Sequence, residues 1–378
     1  MMMKQRVDLK HIKRIVLKVG SSLLADPITG INIAMVERLA QDIKTLHEQN
    51  IEVCLVSSGA VALGRVQLGW LDNHLSVHEK QAAAAIGQPM LMHAYQQAFS
   101  KLGLVVAQML LTKDDLRHRR RYINASNTSK TLFAEKVVPI VNENDTVVVE
   151  EIKFGDNDSL GALVSTVVEA DLMVMMTDVD GLYDENPTQN QGAKRIEVVQ
   201  HITLEVMAMA GDVGSSFGTG GMVSKLKAAK MATKNGVTAA IINGSDETSL
   251  MHFLAGNDVG TVFLCGDDRH SLHQHWIANL LPIAGKLHIV GHAVEKIKAQ
   301  TKNVLAIDLA AIEGDFDKGE CVEIWNEHHL VARGLTNYNA QDMNRLVGVS
   351  TDEIEQILGY IDFESMIQLD NLVFLQRD

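Results

Sequence analysis

Cysteine is scarce. Cys54, Cys265 and Cys321 are three thiols in 378 residues, scattered and odd in number, with no Cys-x-x-Cys pair and no metal-ligand spacing. That excludes a disulfide framework and a thiolate metal site, and it suits reduced thiols in a cytoplasmic protein. Long apolar runs are lacking too: no stretch reaches the about 18 residues of a membrane-spanning helix. The opening MMMKQRVDLKHIKR is polar and charged, so no secretory leader is expected. Positive charge is in deficit, with a formal net charge of −13. A general binder of nucleic acid or of anionic membrane needs a basic footprint, so neither partner is expected. A small anionic substrate stays open, because it answers to local charge. Internal repeats and low-complexity segments are absent as well. What is present is globular: 46% hydrophobic and 21% charged residues, in a chain long enough for two or three domains and a large core.

The chain is organised around residues 15–22, IVLKVGSS. Ile15, Val16 and Leu17 suit a buried strand. Lys18 follows where burial disfavours a charge, so it either snorkels to water or meets an anion. Gly20 permits close backbone approach, and Ser21 and Ser22 add hydroxyl and N–H donors. Asn32 can cap a helix to about residue 49, with Val36, Leu39, Ile43 and Leu46 on one face. Residues 51–56 (IEVCLV) form the next strand, ending in Ser57-Ser58-Gly59. Strand, helix and strand at this spacing imply a parallel sheet with a crossover helix.

Residues 79–100 read as a helix, 104–111 as a strand, 124–135 as a helix and 137–141 as a strand. The basic run from Arg117 to Arg121 either solvates a surface, the commoner fate of such runs, or steers anions. The strand at 137–141 ends in Asn142-Glu143-Asn144-Asp145. Residues 147–152 read as a hairpin arm leading to Gly155-Asp156-Asn157-Asp158 and an apolar helix. Residues 172–176 form another strand, ending in Thr177-Asp178. Polar or glycine endings on adjacent parallel strands describe the rim of a site, since ligands of open α/β sheets bind at the carboxyl edge.

A second glycine-rich turn, Phe217 to Lys225, precedes a helix whose freed N–H groups suit phosphate oxygens. Its spacing is not that of the Walker A loop. Residues 237–242 form the sixth main strand. The stretch 265–275, CGDDRHSLHQH, reads as a linker. Its His270, His273 and His275 lack further ligands at metal spacing and read as solvated. Beyond it the pattern turns to short strands at 286–290, 304–307, 321–325 and 330–332, with a short helix at 352–358. The expected division is 1–265, a linker 266–275, a small β-rich domain 276–360 and a tail 361–378. The fold class is α/β with a mostly parallel central sheet.

Lys18-Val-Gly-Ser-Ser, Ser57-Ser-Gly-Ala, Gln108-Met-Leu-Leu-Thr, Asn142-Glu-Asn-Asp, Gly155-Asp-Asn-Asp, Thr177-Asp and Gly218-Thr-Gly-Gly-Met-Val-Ser-Lys occur in the order seen in glutamate 5-kinases. Each motif is weak alone. In series they resemble that family over nearly the whole chain, and the Asn-Glu-Asn-Asp and Gly-Asp-Asn-Asp pair separates it from acetylglutamate and aspartate kinases. The resemblance implies an amino-acid-kinase domain followed by a PUA-like domain. It implies transfer of a phosphoryl group from ATP to the γ-carboxylate of L-glutamate, the first step of proline synthesis. By residue-wise carry-over, Lys18, Lys225 and Asp158 are catalytic, with Asp158 holding the two ammonium groups. Ser58, Asp145 and Asn157 are implied glutamate contacts. Lys18, Thr177, Asp178, Thr219, Gly220, Gly221, Met222, Val223, Ser224 and Lys225 are implied ATP contacts. Mg²⁺ is expected on phosphate oxygens and water, with no protein ligand assigned. Homo-oligomerisation, as dimer or tetramer, comes from the resemblance alone. The family is commonly inhibited by proline at a site overlapping that of glutamate, so the resemblance implies proline as a feedback inhibitor.

The likeness to PUA rests on Gly314-Asp-Phe, Ala332-Arg-Gly-Leu and Ile357-Leu-Gly-Tyr, and its usual glycine- and leucine-rich middle is replaced by residues 302–309. PUA domains elsewhere bind RNA, but residues 276–360 carry seven lysines and arginines against twelve aspartates and glutamates. No nucleic-acid binding is therefore expected. The alternatives are another carboxylate or phosphate kinase of the same fold, or a non-catalytic amino-acid or RNA sensor.

Overall fold

The computed structural model describes residues 11–26, 30–70, 75–147, 157–187, 189–190, 192–210, 221–266, 277, 281–291, 293–294 and 303–375. The chain divides into two compact units, Met1–Asp267 and Asp268–Asp378. Among the described residues no helix is long and apolar enough to cross a membrane.

The first unit is built on eight strands: β1 (Arg14–Val19), β2 (Glu52–Val56), β3 (Val106–Leu111), β4 (Val138–Glu143), β5 (Leu172–Thr177), β6 (Val198–Val199), β7 (Thr238–Asn243) and β8 (Thr261–Phe263). They lie in the order β3-β4-β2-β1-β5-β7-β8-β6. The run from β3 to β7 is parallel throughout, and β8 is antiparallel to β7. Lys18 in the centre is level with Val56 of β2 and Met175 of β5, so the polar endings after these strands share one edge.

Side chains on a strand alternate between faces, and here they feed two cores. Ile15, Leu17 and Val19 pack with Leu39, Ile43 and Leu46 of the helix Ile33–Glu48 and with Leu91, Tyr95 and Phe99 of the helix Val77–Ser100. Val16 points the other way, into a core with Phe133, Leu160, Val164, Leu226 and Ala229. Each such buried aliphatic side chain contributes about 1.5–3 kcal/mol relative to exposure. The cap expected at Asn32 is present, its side chain accepting from the Met35 N–H at 3.1 Å. Ser76 and Glu79 form a reciprocal capping box at the start of the long helix.

The basic run spans the end of one short helix, Lys113–Arg117, and the start of another, Arg119–Ala134. Its Arg121 pairs with Asp115 at 2.7 Å on the surface. Of the expected hairpin arm, 147–152, only Val147 is described, in a turn, and the rest lies outside the described residues, as do the three linker histidines. All three cysteines are free thiols.

The second unit holds β9 (Ile283–Ile289), β10 (Leu309–Gly314), β11 (Cys321–Asn326), β12 (His329–Leu335) and β13 (Leu372–Phe374), in the order β10-β9-β11-β12-β13. Two expectations fail here. Residues 304–307 are not a strand: Val304 makes an isolated bridge to Ile367, and Ala306–Asp308 is one 3₁₀ turn. Residues from 361 are not a tail either. Met366 and Ile367 are fully buried in the core with Leu287, Val322, Ile324 and Tyr338, and β13 closes the sheet on β12.

Candidate active site

The alternation that sends Val16 into the second core sends Lys18 to the same face, at the carboxyl end of β1. The helix Asn157–Val167 lies on that face. Gly161 allows its approach: a Cβ there would stand 2.8 Å from the Met173 methyl and 3.5 Å from Lys18 Cβ. Asp158, one residue into this helix, is thereby set against the lysine.

Lys18 Nζ pairs with Asp158 Oδ1. The other carboxylate oxygen, Oδ2, meets Lys225 Nζ at 3.4 Å and accepts from Ser224 Oγ at 2.9 Å. Both come from the first turn of the helix Met222–Lys234. Asp158 is 1% exposed and each lysine 6% exposed. Burial alone would push the Asp158 carboxyl up. The charges of Lys18 and Lys225, with hydrogen bonds from Lys18 and Ser224, outweigh it and hold the group below its ordinary value. Lys225 is pulled below its ordinary value by burial first, with Asp158 opposing and the Lys18 charge adding. Asp178 also acts on Lys225 by charge, which brings the end of β5 to the same place. Thr177 Oγ1 donates to Asp178 at 3.0 Å.

A second cluster adjoins the first through Asn157. Its amide NH₂ donates to the Ser57 carbonyl at 2.7 Å, to Ser58 Oγ at 2.9 Å and to Asn142 Oδ1 at 3.0 Å. Asn142 donates in turn to Gln88 Oε1 at 2.7 Å. Ser57 Oγ lies 2.9 Å from the Tyr95 hydroxyl. Asp145 sits in the turn after β4, and burial pushes its carboxyl up to about 6. Among the described residues no hydrogen bond or ion pair links Asp145 to the other expected residues.

Of the expected residues, the structure joins Lys18, Asp158, Lys225 and Ser224 in one cluster and Ser58 with Asn157 in another. Thr177, Asp178, Gly221, Met222 and Val223 stand on the elements that border the first cluster. Thr219 and Gly220 lie outside the described residues. Gln88, Asn142 and Tyr95 were not among the expected residues. Asn142 stands in the polar ending of β4, whereas Gln88 and Tyr95 lie in a helix that reads only as structural. Two ammonium groups on one carboxylate, at a sheet edge with a cluster of polar side chains beside it, suit neutralising the oxygens of a phosphoryl group in flight.

The chain matches the amino acid kinase family over residues 13–243 and the PUA domain over residues 285–358. It is 46% identical to the glutamate 5-kinase of Geobacter sulfurreducens, over 97% of this chain and 99% of that one. The glutamate 5-kinase of Pelobacter propionicus is 44% identical over 97% of this chain and 98% of its own. The chain belongs to the glutamate 5-kinase family. Its fold is the amino-acid-kinase domain with a C-terminal PUA domain. A fainter likeness, at 16% identity and a TM-score of 0.48, links 67% of it to 99% of a UMP kinase from Ureaplasma parvum. The glutamate 5-kinase motifs that hold Lys18, Asn157-Asp158 and Ser224-Lys225 are the segments that meet at the sheet edge.

Proposed function

We propose that this chain transfers the γ-phosphoryl group of ATP to the γ-carboxylate of L-glutamate, giving ADP and γ-glutamyl phosphate, the first step of proline biosynthesis. The observation that carries this reading is the convergence of Lys18 and Lys225 on Asp158, in a chain so similar to glutamate 5-kinases. A carboxylate nucleophile is ionised at neutral pH, so the site has no proton to remove. Its oxygen attacks the γ-phosphorus while the bond to the β–γ bridging oxygen breaks, and ADP leaves with that electron pair. The work left to the protein is bringing two anions together and neutralising the migrating charge.

In this reading Lys18 and Lys225 flank the phosphoryl group, and Asp158 holds both ammonium groups apart and charged. Ser58, Asn157 and Asp145 hold glutamate, with Asp145 facing its α-ammonium. Thr177, Asp178 and residues 219–225 hold ATP. The magnesium that accompanies ATP rests on phosphate oxygens and water. Asp158 is committed to two lysines and a serine. The acidic second unit takes no part in nucleic-acid binding.

The test is ADP release with ATP, magnesium and each of glutamate, aspartate, N-acetylglutamate and UMP, with hydroxylamine trapping of the acyl phosphate. Turnover and hydroxamate with glutamate alone are expected. Preference for another acceptor would refute the reading. The same assay with proline added tests inhibition at a site overlapping that of glutamate.

A further inference from the structure

The polar cluster beside the lysines has a direction, fixed by two backbone groups. The Ser57 carbonyl can only accept, so the Asn157 atom 2.7 Å from it is the NH₂ nitrogen. The Glu143 backbone N–H can only donate, so the Asn142 atom 2.9 Å from it is the oxygen. These assignments agree where the two side chains meet, Asn157 donating to Asn142 at 3.0 Å. Asn142 therefore presents its own NH₂ at its other end, and Gln88 must meet it with an oxygen, at 2.7 Å. The orientation of each amide follows from the last.

The outcome at Asn157 is chemical. Its two N–H hydrogens are shared among three acceptors, Ser57 O, Ser58 Oγ and Asn142 Oδ1. Its Oδ1 accepts no hydrogen bond from any described residue. Asn157 thus offers an acceptor and no spare donor, which suits an ammonium group and not a carboxylate. Gln88 and Asn142 are 9% and 2% exposed, so water competes little for these bonds.

We propose that Gln88 and Asn142 are positioning residues that lock the Asn157 amide with its oxygen toward the substrate, where it accepts from the α-ammonium of the amino-acid acceptor. This rests on the reading of Asn157 as a substrate contact. The relay makes the site select an acceptor that carries an ammonium over the same dicarboxylate without one.

The experiment compares glutamate with glutarate, its analogue lacking the α-ammonium, in Gln88→Met, which keeps the length but removes the acceptor oxygen. Glutarate is assayed as an inhibitor competitive with glutamate. The expected result is a preference for glutamate over glutarate reduced by about tenfold or more, the size of one hydrogen bond to a charged group. The KM for ATP is expected to stay within about twofold. Gln88→Glu, which keeps an acceptor toward Asn142, is expected to retain most of the preference, and Asn142→Ser to lose it as Gln88→Met does. A purely structural role would lower the active fraction and hence kcat, leaving the preference unmoved. An unchanged preference in both Gln88→Met and Asn142→Ser overturns the proposal. Asn157→Ala is run alongside. If it leaves the glutamate KM unchanged, the substrate reading fails and the relay with it. If it raises KM while the two relay variants keep the parent preference, only the relay fails.

Discussion

Asp158→Asn tests the core of the site with little change of shape. At 3.4 Å and an effective dielectric of about 20, one lysine–carboxylate attraction is worth about 5 kcal/mol, an upper bound before relaxation. Removing the carboxylate charge strips that support from Lys225 and leaves Lys18 beside it. Burial already pulls Lys225 below its ordinary value, and without Asp158 it falls further. A neutral lysine cannot offset phosphoryl charge, so kcat is expected to drop about 10²–10³-fold. The residual activity should fade toward alkaline pH, because the proton now leaves Lys225 at lower pH than in the parent. Stability also suffers, by about 3–5 kcal/mol, as a buried charge loses its partner. The assay is steady-state ADP release from pH 6 to 9, with circular dichroism fixing the folded fraction at each pH. A variant within threefold of the parent, or one with the parent's alkaline limb, would refute the assignment of Asp158.

Three further outcomes are expected. Gly87→Ala would place a Cβ 1.8 Å from the Ala60 carbonyl oxygen, forcing apart the helices Ala60–Leu68 and Val77–Ser100. Urea unfolding should show a loss of at least about 1–3 kcal/mol, and an unchanged midpoint would contradict that close crossing. Asp145 titrates near 6, and only its ionised form attracts an ammonium. The KM for glutamate is therefore expected to climb as pH falls through about 6, and Asp145→Asn should raise KM at pH 7 and flatten that rise. Deleting residues 361–378 removes the buried Met366, Ile367, Leu372 and Val373. The second unit should then be cut rapidly by protease between residues 285 and 360, and a resistant product would show that β13 is dispensable.

Much of the first unit was legible because its signals are local. β1, β2, β5 and β7 are short apolar runs with a polar or glycine ending, and the helix Ile33–Glu48 has both a capping asparagine and a clean apolar face. The lysine–aspartate–lysine cluster is legible only in the order of the motifs, since nothing local to Lys225 tells that a residue 67 positions earlier shares its charge. The second unit was less legible. Leu309–Gly314 is mostly exposed, with two alanines and little β-branching, so β10 leaves no pattern to read. Val304 to Ile307 has the composition of a strand, yet only Val304 pairs, and it pairs with Ile367, 63 positions further on, in a region that reads as a tail. The missed polar residues share one cause. Gln88 gains its meaning from Asn142, 54 residues away, and Tyr95 from Ser57, 38 away.

The site also explains how a chain of net charge −13 handles two anionic substrates. The overall charge sets long-range repulsion, which salt screens within about 10 Å. Inside that distance the local field decides. Two helices, Asn157–Val167 and Met222–Lys234, begin at the same sheet edge, so the positive ends of both dipoles face the place where Lys18 and Lys225 converge. Asp158 stands in the first turn of one helix and accepts from the first turn of the other, which locks the two starts together. Asn157 and Asp158 are neighbours with opposite duties. In the proposed reading Asn157 turns an oxygen toward the acceptor, while Asp158 turns both of its oxygens to the lysines. A one-residue shift of that helix would undo both arrangements at once, so the register of Asn157–Val167 against β1, allowed by Gly161, is the feature on which acceptor recognition and phosphoryl stabilisation jointly depend.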